Sequence, residues 1–537
     1  MSSRAFPGVI PVLSKCLLML TALATSAWAA AEKYQTWEDR DHFPEAYSIL
    51  TSDRVMFPDD ISDWPLKIDA KHQLFVDDFL ISKIEHLTRE FHQPTKHPAN
   101  PLMKGWAVAV LYDNDKGQFR MWNGGNYLTS TDGVHWDKPD LGVNGNRIEF
   151  EGGGGLHGLF YNPDIPEHEG RYKAVVQRRQ KGKENESIVF FLHHSRDGLH
   201  WELRPKRPIL EQTANSMLPC EFRPMGVGKP GDFQWQNPDH IQSIGAGDTS
   251  SFRYDRVLKR YIYDGKFKLH MPRETFEQLG IIVEEQKPLL RLRTFSESED
   301  LVHWSPPRLV FYPDRLDPPD RQIYSHEGFV YESMWIGIIR AMRLQVTGWK
   351  QVDLQLSYSR DGRHWSRPDQ RQPFIPLGNE ESWEADYSGA PLTEPVLRGE
   401  ELYFYYFGSR HFTRDKIPVS SFQPYVGLAK LRRDGFASLN ADEMPGQVVT
   451  RPLTFGGHSL FVNAEVPTGG WIKAAVLSRD SQPISKFALE DAVPLAKDTT
   501  KGHMVWKSKE ELPPPGDDHL RIVFQLKNAK LYSFWIE

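Results

Sequence analysis

Short runs rich in apolar and aromatic residues, broken by polar turns, recur along the chain and predict strands. FFLHHS, LRLRTFS and VDLQLSYS each run into a turn of nearly one spelling. Ser130–Trp136 reads STDGVHW, Ser195–Trp201 SRDGLHW, Ser298–Trp304 SEDLVHW and Ser359–Trp365 SRDGRHW. Asp-Gly marks a tight turn between strands. The Asp can accept backbone N–H groups there, and the Trp can cover the seam to a neighbouring unit. A second hairpin precedes each copy, in AVAVLYDNDKGQFRMW, GLFYNPDIPEHEGRYKAVV, TSSFRYDRVLKRYIYDGKF and EGFVYESMWIGIIRAM. Each unit therefore predicts a four-stranded antiparallel sheet. A fifth unit, from APLTEPVLRGEELYFYYFGS to YVGLAKLRRDGFASL, keeps Arg433-Asp434-Gly435 but loses the His-Trp.

Five such units predict an all-β protein, a five-bladed β-propeller over residues 71–445. A two-sheet sandwich is the competing architecture and accounts less well for the period. The interval between Trp201 and Trp304 holds an insertion at 211–247, rich in Pro, Gly and polar residues. Beyond Pro445 the runs VVTRPLTF, SLFVNAEV, GWIKAAVLS and LRIVFQLKNAKLYSFWI alternate as strands of a small C-terminal β-sandwich, 446–537. Residues 30–70 read as an N-terminal arm. The repeated turns read as scaffold, with Asp132, Asp197, Asp300 and Asp361 as turn formers.

Residues 1–29 have the form of a signal peptide. Arg4 and Lys15 flank an apolar segment, and Ala27-Trp28-Ala29 fits a cleavage site. The expected location is outside the cytoplasm, periplasmic or secreted. No later segment is apolar for long enough to span a bilayer. Of the two cysteines, Cys16 falls in the signal, so Cys220 has no partner for an internal disulfide. A net charge of −6 argues against a nucleic-acid partner. With 16 Trp, 19 Tyr and 30 Phe, aromatic packing is prominent and sugar stacking is available.

A propeller gathers its inner strands around a funnel, so polar groups at the starts of first strands are the candidates. Asp248 precedes the third first strand, Ser325, His326 and Glu327 the fourth, and Glu384, Asp386 and Tyr387 the fifth. Lys104 and Trp106 open the first unit and His157 the second. Asp248, Glu327 and Asp386 thus offer carboxylates from three units. Paired carboxylates suit glycoside hydrolysis, one protonated to release the leaving oxygen and one ionised as nucleophile or base. Crowding drives their pKa values apart. The competing reading ties these acids into ion pairs with Arg253, Arg340 or His326. Trp106, Trp235 and Trp383 are candidate sugar platforms. Asp78, in QLFVDDFLI, is placed to reach the funnel or close the ring. No EF-hand loop, H-E-x-x-H motif or Cys cluster occurs, so no metal site or cofactor is assigned, although carboxylates and carbonyls of a funnel can hold a structural Ca2+. G-x-S-x-G and dinucleotide fingerprints are also missing.

LFVDDFLI, FHQPTKHPANPLM, the S-x-D-G-x-H-W turns, DTSSFRYD and ELYFYYFGS together resemble bacterial, planctomycete-type exported proteins described as glycoside hydrolase family 32-like. The resemblance covers nearly the whole mature chain and implies a five-bladed propeller, a closing sandwich and a glycan-active class. The motifs of invertases and fructanases, W-x-N-D-P-N-G, R-D-P and E-C, do not stand intact. FYNPD carries Asn162 at a hairpin turn, and Cys220-Glu221 is reversed. None of those catalytic residues is carried over. The expected function is an exported glycoside hydrolase using Asp248, Glu327 and Asp386, with Asp78, Trp106, His157, Trp235, His326, Arg340 and Trp383 around a carbohydrate. A glycan-binding propeller without catalysis is the alternative, and a surface scaffold whose interface is the sandwich is a third reading.

Overall fold

A carboxylate able to collect several donors fixes a tight turn, and this happens four times with one geometry. In each S-x-D turn the Asp Oδ1 accepts two consecutive backbone N–H groups at 2.7–3.0 Å. Its Oδ2 meets Nδ1 of the following His at 2.6–2.7 Å. The Ser Oγ accepts the N–H three residues on. Burial opposes ionisation of these carboxyls. The His and backbone donors outweigh it and hold all four below the ordinary carboxylate range, Asp197 at about 2. The third turn has Leu301 where the others have glycine, at φ 68°. A left-handed leucine costs about 1–2 kcal/mol. Its side chain is fully buried beside Phe252 and Trp304, and about 1.5–3 kcal/mol from that burial offsets the strain.

A computed structural model of the protein describes residues 64–537, apart from 143–144, 167, 169, 182–185, 214–216, 219–248, 271–272, 285–287, 306–307, 347–348, 411–422 and 516–518. The signal segment and most of the arm lie outside the described residues. The chain is nearly all-β, and among the described residues Arg273–Gln278 is the one α-helix. None of these residues forms a helix long and apolar enough to cross a membrane.

Antiparallel sheets follow one another along the chain. The first holds Ala109–Asp113, Gln118–Asn123 and Asn126–Ser130. The second holds Gly155–Tyr161, Tyr172–Lys181 and Glu186–Ser195, with Glu202–Leu203 and Leu210–Thr213 outside them. The third holds Ser251–Asp255, Arg260–His270, Leu289–Ser298 and Arg308–Phe311. The fourth begins with Arg321–Tyr331, Met334–Val346 and Trp349–Ser359. It joins the fifth, Tyr387–Gly389, Glu401–Ser409 and Tyr425–Arg432, through the parallel pair Val352 and Tyr387. First strands of the second, third and fourth sheets lie side by side. Two turns are clasped by the sheet before. Trp122 Nε1 donates to Gly198 O at 3.0 Å, and Tyr405 OH to Gly133 O at 2.8 Å. The second clasp runs from the fifth sheet to the first. Leu392 N also donates to Val108 O at 2.7 Å. Arg256, after the third first strand, reaches Glu394 at 3.1 Å and the Val330 carbonyl at 2.7 Å.

The outer edge of the fifth sheet is filled from upstream by Thr95–Lys96 and Met103–Lys104, both antiparallel to Tyr425–Arg432. Residues 71–91, expected to open the propeller, pair instead with the C-terminal strands. Ile81–Glu85 lies on Gly446–Thr450, Thr88–Phe91 on Ala437–Ala441, and Gln73–Leu74 on Ala529–Ile536. Leu66–Lys67, within the expected arm, runs parallel to Leu453–Thr454. The two C-terminal sheets have six strands each and share one core, with Phe75, Phe524 and Phe534 at its centre. They begin at Ala437, ahead of the expected boundary at 446. Periodicity marks a strand but not its partner, which is why these assignments differ.

The fifth turn explains where the lost His-Trp went. Asp434 sits at φ 59°, fully buried. His72 Nδ1 donates to its Oδ2 at 2.6 Å, and the His72 ring stacks on Trp535 at 3.8 Å. Tyr331 OH and Ser533 Oγ add bonds of 2.8 and 2.6 Å, and Asn463 Nδ2 one of 3.2 Å. The imidazole and indole that the other turns carry locally come here from the two ends of the chain. His72, Glu332 and Asp434 have ligand atoms within 4.8 Å of one another. Those of Asp434 already face protein donors, and Glu332 pairs with Arg433, so the cluster is a hydrogen-bonded clasp. Burial pushes the Asp434 carboxyl up, and the His72, Ser533 and Tyr331 donors more than reverse it. The unfolded chain then binds the extra proton, and stability falls as the pH drops below about 4. Asp434→Asn, which keeps the left-handed backbone, is expected to lower stability at pH 7 by about 3 kcal/mol. It should also shrink the loss between pH 7 and pH 3, read from denaturant midpoints.

Candidate functional site

Cross-strand register decides which side chains share a face. Ser325 pairs with Arg340, and Glu327 lies two residues on, so all three project from one side of the fourth sheet. Glu327, 9% exposed, accepts on Oε1 from Arg340 at 2.5 Å and from Ser325 Oγ at 2.8 Å. Its Oε2 is buried with no hydrogen-bond partner among the described residues. Burial raises the Glu327 carboxyl above its ordinary value, against the opposing pull of Arg340. With two donors on Oε1, the proton of the neutral form belongs on Oε2. Arg340 Nη1 also donates to Tyr387 OH at 3.2 Å, and its guanidinium lies 5.5 Å from the Phe407 ring. Phe407 stacks on Tyr387 at 5.7 Å and meets Trp106 edge-on at 5.1 Å. An aromatic row therefore links the buried acid to Trp106, which is 39% exposed beside an open cavity of about 310 Å³.

Asp386 precedes Tyr387 at the joint of the fourth and fifth sheets. It is 1% exposed, and its carbonyl accepts Val352 N–H at 2.9 Å. Glu327 and Asp386 thus belong to one joint, while Asp248 and Trp235 lie outside the described residues. Trp383 stacks on Tyr406 at 5.8 Å and is wedged against Gly408 and Gly427, where an added Cβ would meet its ring at 2.7 and 2.9 Å. It packs the fifth sheet instead of offering a platform. His157 lies between the second and third sheets against Phe190 and Phe252.

Two further expectations are corrected. His326 points to the opposite face from Glu327 and is completely buried. Its Nδ1 meets Asp264 at 3.0 Å, its Nε2 meets Ser357 Oγ at 3.1 Å, and Phe295, Phe311 and Trp365 surround the ring. It is a core histidine with both nitrogens engaged, not a substrate ligand. Asp78 sits between two strands of the terminal sheets, pairs with Arg89 and leaves most of its side chain in solvent, far from any funnel role. Asp264 was not singled out from sequence. It is fully buried, with Arg293 Nε at 2.6 Å, and links that cation to His326. The one signal was an Asp in YIYDGKF facing the adjoining basic strand LRLRTF. Glu384 Oε1 is likewise engaged by Lys96 at 2.7 Å, which ties Thr95–Lys96 to the fifth sheet.

No protein-family model matches the chain, and no curated protein matches it in sequence. Among solved structures, similarity extends to an N-acetylgalactosamine deacetylase from F. plautii in complex with blood group B trisaccharide. It is 13% identical, covers 66% of this chain and 96% of that one, and has a TM-score of 0.37. A thermostable family-43 glycoside hydrolase is 12% identical over 65% and 96%, with a TM-score of 0.39. A β-1,2-mannobiose phosphorylase from Listeria innocua is 11% identical over 63% and 79%, with a TM-score of 0.27. Likeness this distant says nothing about activity.

Burial pushes the His326 imidazole down to about 4, with Asp264 opposing the shift. The ring is expected to stay neutral between about pH 5 and 8, where an exposed histidine titrates. Ring-proton shifts followed by NMR, assigned with His326→Gln, check this.

Proposed function

We propose that this protein is an exported glycoside hydrolase built on a five-bladed β-propeller with a C-terminal β-sandwich. The blade count is supported by the five consecutive sheets and by the clasp that joins the fifth to the first as the first is joined to the second. Export is read from the leader-like first 29 residues.

The observation that carries the enzymatic reading is Glu327. Its carboxyl is raised by burial, fixed through Oε1, and left with one oxygen that no described residue engages. A neutral carboxyl in that state is a proton donor awaiting an acceptor, and a glycosidic oxygen is one. Proton transfer from Oε2 assists departure of the leaving sugar. A second, ionised carboxylate then attacks the anomeric carbon or activates water, with Asp386 and Asp248 as the candidates. Arg340 holds Oε1 throughout and stabilises the glutamate as it ionises. Trp106 supplies a stacking face at the cavity beside this row.

Glycan binding without turnover is the second reading, favoured by the Glu327–Arg340 pair itself, since a tightly paired carboxylate is also a structural ion pair. Reducing-sugar release from a panel of glycans separates them. Wild type is expected to release sugar, and Glu327→Gln and Asp386→Asn to lose at least about 100-fold while remaining folded in thermal melts. Binding with no release from any glycan would leave the second reading.

A further inference from the structure

The loop that opens the first sheet is held in a costly shape. Gly105 has φ 133°, and an added Cβ would overlap the Asn123 amide. Ala107 follows at φ 43°, a left-handed conformation that costs an alanine about 1–2 kcal/mol. Asn123 braces the loop, accepting Trp106 N–H on Oδ1 at 2.8 Å and donating from Nδ2 to Lys104 O at 3.1 Å. Strain of this kind persists where surrounding structure imposes it, and it gathers at functional positions. Here its result is an indole turned toward solvent over a cavity, backed edge-on by Phe407.

Lys104 stands beside that indole. It is exposed, with its ammonium 5.9 Å from the Tyr425 ring, and has no carboxylate partner among the described residues. Lys96, on the neighbouring closing strand, is instead neutralised by Glu384. The cavity is lined by Lys104, Gly105, Trp106, Asn123, Asn126 and Gln423, with Gly124 and Pro424, and no acid is among them. A flat apolar face, amides and a cation with no carboxylate partner among the described residues suit a saccharide ring that carries a negative charge.

We propose that the Trp106 cavity is a subsite for an anionic saccharide, its ring on the indole and its carboxylate or sulfate ester at Lys104. This rests on the glycan-active reading and adds the charge of the substrate. The protein carries net charge −6, so polyanions gain no general attraction and selectivity must be local.

Isothermal titration calorimetry on the full chain tests it, with an oligogalacturonate, a sulfated galactan oligosaccharide and a neutral xylo-oligosaccharide of similar length. Sugar release from the same three is measured separately. One or both charged probes should bind at least about tenfold more tightly than the neutral one, the scale of a single charged hydrogen bond. Which of them binds tells carboxylate from sulfate. Lys104→Gln, a surface change, should remove that advantage and flatten the salt dependence. Trp106→Ala should weaken all binding, with Trp106→Phe restoring part of it. Equal affinity for the neutral probe, or unchanged discrimination in Lys104→Gln, would overturn the proposal. Charged probes bound through Lys104 and Trp106 without release would uphold the subsite and sink hydrolysis. Release from the neutral probe alone would uphold hydrolysis and sink the subsite.

Discussion

The interaction on which the structure depends is a carboxylate that gathers several donors at one point. A hydrogen bond to a charged group contributes about 1.5–3 kcal/mol, against about 0–1 kcal/mol for an exposed ion pair. In four turns the donors are local, two backbone N–H groups and an imidazole three residues away. They fix where the third strand of a sheet ends and the next strand leaves. In the fifth turn the same carboxylate chemistry becomes long-range. Asp434 takes its donors from His72, Tyr331, Asn463 and Ser533. One motif therefore shapes each sheet and also joins the sheets to the terminal domain.

How much of this was legible depended on how local the cause was. The S-x-D turns could be read because every partner lies within a few residues. So could the hairpins before them, from their turns and apolar runs. The pairing of residues 66–104 could not, since a short strand spells its own period and not the edge it will meet. The site shows the same limit. Glu327 and Arg340 were identifiable as polar residues in inner apolar strands. Alternation along the strand already puts His326 and Glu327 on opposite faces, and which of the two faces holds the site is settled only in three dimensions. Asp78 failed for a related reason, because the strand assumed to enter the funnel belongs to another sheet. Trp106 could be placed from its position alone, but its exposure follows from the strained backbone at Ala107.

The inner acids share one feature: nearly every one has a cation. Arg293 holds Asp264, Arg340 holds Glu327 and Lys96 holds Glu384. Buried charges without such partners would be strongly destabilising. At Glu327 a second buried oxygen has no partner among the described residues and burial raises the carboxyl, the two conditions that proton donation requires.

The strands that complete the fifth sheet are made long before it. Asn100 bonds to Leu428 across 328 residues, and His72 to Asp434 across 362. Loop entropy grows only slowly with such lengths, so the difficulty is one of timing more than of final stability. Until sheet five exists, these edges are open templates for pairing with other chains. Thr95–Lys96 and Met103–Lys104 are two residues each, both carry a lysine, and Pro94, Pro98 and Pro101 surround them. Short, charged, proline-interrupted segments offer little to a stray strand. The two strands that complete the fifth sheet are thus poor at pairing with anything except the edge prepared for them.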